Sequence, residues 1–138
     1  MIASAVWKDG MQFEGRSESG HTIHFDADPA HANGPTPMEA VLAALCACTS
    51  VDVVSILQKK RESFTSLVVS AEAQQAPDPP RVFTHIRLVY RVGGKVSKKA
   101  MEDAVALTKN KYCSVSKMLE KSATIDFVIE YADGAPGE

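Results

Sequence analysis

Residues 36–60 read TPMEAVLAALCACTSVDVVSILQKK, and this stretch decides the fold. Between residues 38 and 57 the only charged side chains are Glu39 and Asp52, while small or branched apolar residues occupy every helical face. A helix that is apolar all round needs cover on every side. We therefore expect a long central helix, at about residues 37–60, buried in the middle of a fold or of a dimer.

Three residues encode the start of this helix. Thr36 is a good N-cap, and Pro37 suits the first helical position because its missing N–H would be unpaired there. Glu39 follows Thr36 by three residues and completes a capping box. Capping is therefore a sufficient structural reason for a glutamate at this position.

Length and composition describe an ordinary globular protein. The 138 residues indicate one domain, with N-terminal strands at about 1–27, the central helix, and a C-terminal part at about 63–132. A net charge of −2 without basic runs predicts no nucleic-acid or membrane partner. The central helix is long enough to span a bilayer, but two carboxylates interrupt it and no signal-peptide pattern precedes it. We expect a cytoplasmic protein.

Alternating polar and apolar residues predict strands on both sides of the helix. The first 27 residues contain two glycine turns between alternating runs, which is typical of a three-stranded meander. Residues 64–74 and 82–92 alternate again and are separated by a proline-rich turn. These two runs predict a long hairpin that ends at Gly93-Gly94.

The last third of the chain switches from strand to helix periodicity. It predicts a helix over residues 98–109, a break at 110–112, a short helix over 114–121 and a closing strand over 124–131. The tail after Asp133 is expected to be loose. Segregated elements in this order predict an α+β domain with antiparallel sheets rather than a doubly wound parallel sheet.

The three cysteines are the first chemical clue, since cytoplasmic thiols are more often free, catalytic or redox-active than structural. Cys46 and Cys48 point about 200° apart on a helix and should not bridge each other. Cys113 starts the short helix, where unpaired N–H groups favour a thiolate. A helix thiol and a helix-terminal thiol suit peroxide attack and disulfide resolution. Alternatively, each cysteine is simply a small buried hydrophobe.

Other polar residues suggest less. Asp52, four residues after Cys48, would either raise the pKa of the Cys48 thiol by like-charge repulsion or act as a hydrogen-bonded buried anchor at a dimer interface. His21 and His24 fall on opposite faces of a strand, so they are not a ready pair of metal ligands. The sequence predicts no cofactor and no metal.

Two segments carry a resemblance to a known family. GPTPMEAVLAALCAC at residues 34–48 and YCSVSK at 112–117 resemble the signature segments of the OsmC/Ohr family, the osmotically inducible protein C and organic hydroperoxide resistance proteins. The order of elements fits along nearly the whole chain. The resemblance implies an OsmC-like fold and an intertwined homodimer, with active sites at the subunit interface. It also implies reduction of organic hydroperoxides, with Cys48 attacking, Cys113 resolving and a lipoyl-type dithiol as reductant.

The resemblance also identifies supporting residues and departures. The family's peroxidases place a glutamate directly after the helix-leading proline and bring an arginine from the N-terminal hairpin to the thiolate. Here Met38 occupies that position and Glu39 comes one later, while Arg16 is the arginine in the N-terminal region. Glu39 and Arg16 are the weaker supporting candidates. The helix start and the run after Cys48 look more like the family's YhfA-like branch.

Two function classes follow. The first is a dimeric cysteine-based peroxidase or thiol–disulfide redox protein. The second is a non-catalytic dimer of the same fold that binds a small hydrophobic ligand in a pocket lined by the helix. Met38 at the glutamate position motivates the second. A third interpretation, thiols of merely structural value, predicts that all three stay unreactive.

Overall fold

The computed structural model describes residues 1–132 and confirms the α+β class. Two three-stranded sheets accompany one long helix. The elements are β1 (Ala3–Asp9), β2 (Gln12–Ser17), β3 (Thr22–Asp26), α1 (Pro37–Lys59), β4 (Ser63–Gln75), β5 (Phe83–Lys95), α2 (Lys98–Leu107), a π-helical turn (Thr108–Tyr112), α3 (Ser114–Leu119) and β6 (Thr124–Tyr131). The tail after Asp133 lies outside the described residues. The chain divides into two compact units, residues 1–43 and residues 44 onward.

The first unit contains the predicted meander, with β2 pairing antiparallel to both β1 and β3. The register sets Trp7 opposite Phe13, and Phe13 opposite Phe25, so that aromatic side chains share one face. Gly15 is required there because a Cβ would lie 2.7 Å from the Phe25 ring. Strand β1 is exposed along its whole length. Within this unit, no second sheet or helix layer covers the apolar face of the three strands.

Helix α1 begins at the predicted capping box. The Thr36 N–H donates to Glu39 Oε1 at 2.9 Å, and the Glu39 N–H donates to Thr36 Oγ1 at 3.1 Å. The preceding loop is ordered by Asp26, which is buried and accepts hydrogen bonds from the backbone N–H groups of Asp28 and Asn33. These contacts satisfy the first N–H groups of the helix, as the sequence predicted.

Helix α1 continues into the second unit, where one stripe of it is buried. The stripe recurs every four residues and consists of Leu45, Thr49, Val53 and Leu57. Val51 lies on the opposite side and is 67% exposed. Within one chain the helix is therefore covered along one side only. By length and composition alone α1 is also long and apolar enough to cross a membrane.

The second sheet has the order β4–β5–β6. The predicted hairpin of β4 and β5 is confirmed as an antiparallel pair. Strand β6 instead runs parallel to β5, with Tyr90 opposite Ile129, so the expectation of antiparallel sheets is wrong for the closing strand. The reason is the connection: α2, the π-helical turn and α3 form a crossover, which returns the chain to the sheet in its original direction.

The glycine pair does not end the hairpin, because β5 continues through it to Lys95. The register shifts between Phe64 and Ser66, opposite Gly94 and Gly93. Gly94 has φ +93°, and a Cβ there would lie 2.5 Å from the carbonyl oxygen of Ser63. The glycines therefore serve a β-bulge within the strand.

A buried hydrogen bond joins α1 to the second sheet. Thr49 Oγ1 and the Tyr90 hydroxyl are 2.6 Å apart, and both side chains are shielded from solvent. Burial raises the pKa of Tyr90 to about 12, although the hydrogen bond to Thr49 works in the opposite direction. The phenol therefore remains a neutral partner for Thr49 across the physiological pH range.

We expect Tyr90→Phe to lower the free energy of unfolding by about 1–2 kcal/mol, because it leaves the Thr49 hydroxyl buried without this partner. Thr49→Val in the Tyr90→Phe background removes the second polar atom and should cost much less than the two single changes added together. Urea unfolding of the four reduced proteins measures this coupling. Strictly additive losses would contradict it.

Candidate functional site

Two cysteines and one carboxylate converge in the second unit. The Sγ atoms of Cys48 and Cys113 and a carboxylate oxygen of Asp52 all lie within 4.8 Å of one another. Cys48 and Asp52 are one helical turn apart on α1, whereas Cys113 comes from the crossover between β5 and β6. A disulfide requires sulfurs at about 2.05 Å. The two thiols predicted as a pair are thus close enough for rotation and a small shift to join them.

The crossover positions Cys113 through an irregular helix. The predicted break at residues 110–112 is wrong: α2 ends at Leu107 and the chain continues as a π-helical turn to Tyr112. The Cys113 N–H donates to the Thr108 carbonyl at 2.9 Å, five residues back. Cys113 then serves as the N-cap of α3, its Sγ accepting from the Ser116 N–H at 3.4 Å. Single π-helical turns of this kind are frequent at functional sites.

Burial controls the protonation of Cys113. The side chain is fully buried, and burial raises the pKa of the thiol to about 11. The Ser116 N–H lowers the pKa, while the neighbouring Cys48 and Asp52 raise it further. The expectation that the helix terminus makes Cys113 a thiolate is therefore wrong, because desolvation outweighs one backbone hydrogen bond. Cys113 keeps its proton and can donate it in a hydrogen bond to the Cys48 sulfur.

Asp52 belongs to the site, but the sequence related it only to Cys48 and not to Cys113. Its negative charge raises the pKa of Cys113, a thiol that the sequence did not place beside it. It is half-buried, yet within residues 1–132 its carboxylate takes part in no hydrogen bond or ion pair. The alternative, a hydrogen-bonded anchor at the dimer interface, stays a prediction, because a partner chain would have to supply the donor. The sequence signalled the proximity of Asp52 to Cys48 through their spacing of four residues. It gave no signal that Cys113 would lie beside them.

A cavity opens beside Asp52. It has a volume of about 360 Å³ and is lined, besides Asp52, by Ser55, Ile56, Lys59, Lys60, Leu107 and Tyr112. Leu107 and Tyr112 are partly exposed apolar residues from the crossover. The carboxylate next to the thiol pair is thus reached through a cleft with an apolar wall and two lysines.

The remaining candidates have partners of their own. Arg16 lies on β2, where its Nη2 is 2.6 Å and its Nε 2.7 Å from Glu14 Oε2. Glu39 is engaged in the capping box, and the hydrogen bond from the Thr36 N–H holds its pKa below the usual range. The capping interpretation of Glu39 is confirmed. Both residues belong to the first unit, and their roles at the thiol stay predictions.

Cys46 is separate from the pair. It is half-buried, burial raises the pKa of its thiol, and it is not bridged to Cys48. The expectation that the two helix cysteines do not form a disulfide with each other is thus confirmed. Cys46 offers a matched control for every thiol experiment on the site.

Comparison with known proteins identifies the family. The family model of OsmC-like proteins matches residues 30–128, and the chain belongs to this family. Protein YhfA of Escherichia coli strain K12 is 43% identical over 126 residues, which cover 91% of this chain and 93% of YhfA. The predicted resemblance, including its YhfA-like character, is confirmed.

Solved structures share the fold across the family. An OsmC-like protein from Mycoplasma pneumoniae has a TM-score of 0.83 at 18% identity, covering 94% of this chain and 95% of that one. A Legionella pneumophila protein described as an organic hydroperoxide resistance protein and predicted redox protein has a TM-score of 0.70, also at 18% identity, covering 94% and 95%. At such identities the likeness shows the fold alone.

The raised pKa of Cys113 predicts a pH-dependent stability. The unfolded thiol titrates near pH 9.0 and the folded one near 11, so the folded state binds its proton more tightly. This contribution is fully present below pH 9 and is lost as the pH rises towards 11. We expect the reduced wild type to lose more stability than Cys113→Ala between pH 8 and 10.5. Denaturant unfolding measures the difference, with Cys46→Ala as the control for general alkaline effects.

Proposed function

We propose that this protein is a cysteine-based peroxidase that reduces organic hydroperoxides, with Cys48 as the attacking thiol and Cys113 as the resolving thiol. The observation that carries the proposal is the approach of the two sulfurs to within 4.8 Å, one from a long helix and one from a buried helix terminus. Relatives of the same fold named as organic hydroperoxide resistance proteins support the substrate class.

The reaction has two oxidative steps. The Cys48 thiolate attacks the distal peroxide oxygen, the O–O bond breaks, and the alkoxide leaves with a proton as the alcohol, forming Cys48 sulfenic acid. The sulfur of Cys113 then attacks the Cys48 sulfur. Its thiol proton leaves with the hydroxyl as water, and a Cys48–Cys113 disulfide remains. Since Cys113 holds its proton until this point, it can serve as a hydrogen-bond donor to Cys48 during the first step.

A dithiol completes the cycle. One of its thiolates attacks the disulfide and the other displaces it, so two protein thiols are regenerated and the small molecule becomes a cyclic disulfide. A lipoyl-type dithiol fits this role in a reducing cytoplasm. The cleft beside Asp52, with its apolar wall of Ile56 and Leu107, offers a route for the organic part of the peroxide. Glu39 and Arg16 remain supporting candidates.

The sharpest test is peroxide challenge of the reduced protein followed by thiol mapping. A small excess of cumene hydroperoxide should oxidise Cys48 and form a Cys48–Cys113 disulfide, faster than hydrogen peroxide does. Cys48→Ser should abolish peroxide consumption, whereas Cys113→Ser should stop after one oxidation. Cys46→Ser is the matched control and should turn over like the wild type. Full turnover by Cys48→Ser would overturn the assignment.

The working form is proposed to be a homodimer. Helix α1 is buried along one stripe, and its opposite side, including Val51, is exposed. The first unit independently exposes Trp7 on the aromatic side of its sheet. A second copy of the chain would cover the exposed side of α1, and burying apolar area in this way stabilises the assembly.

We expect a dimer in sedimentation at micromolar concentration, and dissociation or unfolding when Val51→Glu places a charge on the uncovered side of α1. Val68→Glu is the matched control, because Val68 is 61% exposed on β4 opposite Arg91, among polar neighbours. The control should remain a dimer. A monomeric wild type, or a Val51→Glu variant that dimerises as well as the control, would contradict the proposal.

A second candidate function rests on the cleft alone. Its volume of about 360 Å³ and the side chains of Ile56, Leu107 and Tyr112 suit a small hydrophobic ligand. A non-catalytic binding protein would keep its thiols reduced for minutes under peroxide. Native mass spectrometry would then detect a co-purified ligand, retained equally by the wild type and Cys48→Ser.

A further inference from the structure

The thiol pair and Asp52 form a set of three donor atoms around a common point. All three atoms lie within 4.8 Å of one another. Zinc–sulfur and zinc–oxygen bonds of about 2.3 and 2.0 Å place tetrahedral ligand atoms about 3.5–3.8 Å apart. From separations of up to 4.8 Å, the donors need to close by about 1.3 Å at most to hold one ion. The helical spacing fixes two of them on one face of α1, and the π-helical turn brings the third.

The charges of the set point to a cation. Asp52 lies beside two thiols, and within the described residues 1–132 its carboxylate makes no hydrogen bond or ion pair, although Lys59 and Lys60 line the cleft beside it. Cys113 is fully buried and the other two are half-buried, so water reaches the site from the cleft side only in part. Without a metal, one carboxylate and two deprotonated thiols would repel one another strongly. A divalent ion converts this repulsion into bonding and releases the thiol protons.

The identity of the donors selects the ion. Two thiolates favour a soft or borderline metal over Mg²⁺ or Ca²⁺, and a carboxylate together with two sulfurs is compatible with tetrahedral Zn²⁺. Three protein ligands leave a fourth position, which can be taken by water from the cleft that opens beside Asp52. Two thiolates, one carboxylate and Zn²⁺ sum to a charge of −1. Lys59 and Lys60 line the same cleft and offset it.

We propose that the reduced protein binds one zinc ion per chain through Cys48 Sγ, Cys113 Sγ and the Asp52 carboxylate. The same proposal makes zinc and peroxide antagonists: Zn²⁺ withdraws electron density from the thiolate that would attack the peroxide, and oxidation to a disulfide removes both thiolate ligands. This antagonism rests on the proposed function, whereas zinc binding itself does not. Asp52 would then supply the third ligand that gives the Cys48–Cys113 pair its affinity for the metal.

Metal titration tests the binding directly. The reduced, metal-free protein is titrated with Zn²⁺ against a chromophoric chelator, and with Cd²⁺ while the ultraviolet sulfur-to-cadmium charge-transfer band is recorded. We expect one ion per chain. Cys48→Ser and Cys113→Ser should abolish high-affinity binding, and Asp52→Asn should weaken it at least tenfold. Cys46→Ser, the matched control, should bind as tightly as the wild type.

A protection experiment on the wild type removes any dependence on how the variants fold. Zn²⁺ should slow alkylation of Cys48 and Cys113, while Cys46 reacts at its metal-free rate. Binding that survives the loss of either pair cysteine, that is unchanged in Asp52→Asn, or that is absent from the wild type would overturn the proposal. Zinc binding by a protein whose thiols ignore peroxide would refute the peroxidase and leave the metal site standing.

Discussion

The constraint on which this structure depends is the hydrophobic surface of helix α1. A helix without a polar face has to bury its whole circumference, yet one chain covers only the stripe from Leu45 to Leu57. Among residues 1–132 the polar side chain of this stripe is Thr49, which is hydrogen-bonded to Tyr90, and the other three side chains are apolar. The side opposite this stripe, including Val51, stays exposed in the single chain, which is why a second subunit is proposed to cover it.

The same burial shapes the chemistry of the site. A thiol at a helix N-terminus is ordinarily a good thiolate, but Cys113 is enclosed so completely that desolvation dominates and its proton stays. Cys48 is more accessible, on the side of α1 that also carries Asp52. The two sulfurs thus differ in access and in protonation. That asymmetry suits one thiol that meets a substrate and another that reacts only with its neighbour.

Asp52 gives the site a character that thiols alone would lack. A carboxylate without a hydrogen-bond donor beside two sulfurs raises the pKa of the buried one and leaves a negative charge uncompensated. Packing alone would favour an apolar residue at this position, because an unpaired charge that is partly buried costs free energy. The metal proposal assigns this carboxylate a purpose, because a cation bound by the two sulfurs and Asp52 would compensate its charge.

Local rules in the sequence determined the elements that depend on near neighbours. The capping box of Thr36 and Glu39, the glycine turns of the meander and the closing strand over residues 124–131 all follow from interactions a few residues apart. The signature segments were enough to identify the family. Where these rules failed, at Gly93-Gly94 and at the π-helical turn, the backbone was set by a partner strand or by the crossover.

Only the tertiary structure decided the direction of β6 and the composition of the site. Strand polarity depends on how the whole crossover returns to the sheet, which no local pattern records. Likewise, the sequence separates Cys113 from Cys48 by 65 residues, and the pairing of their sulfurs with Asp52 exists only because the π-helical turn ends beside α1. Helix periodicity places Cys48 and Asp52 on one face of α1. Long-range packing brings Cys113 to them, and burial keeps its thiol protonated.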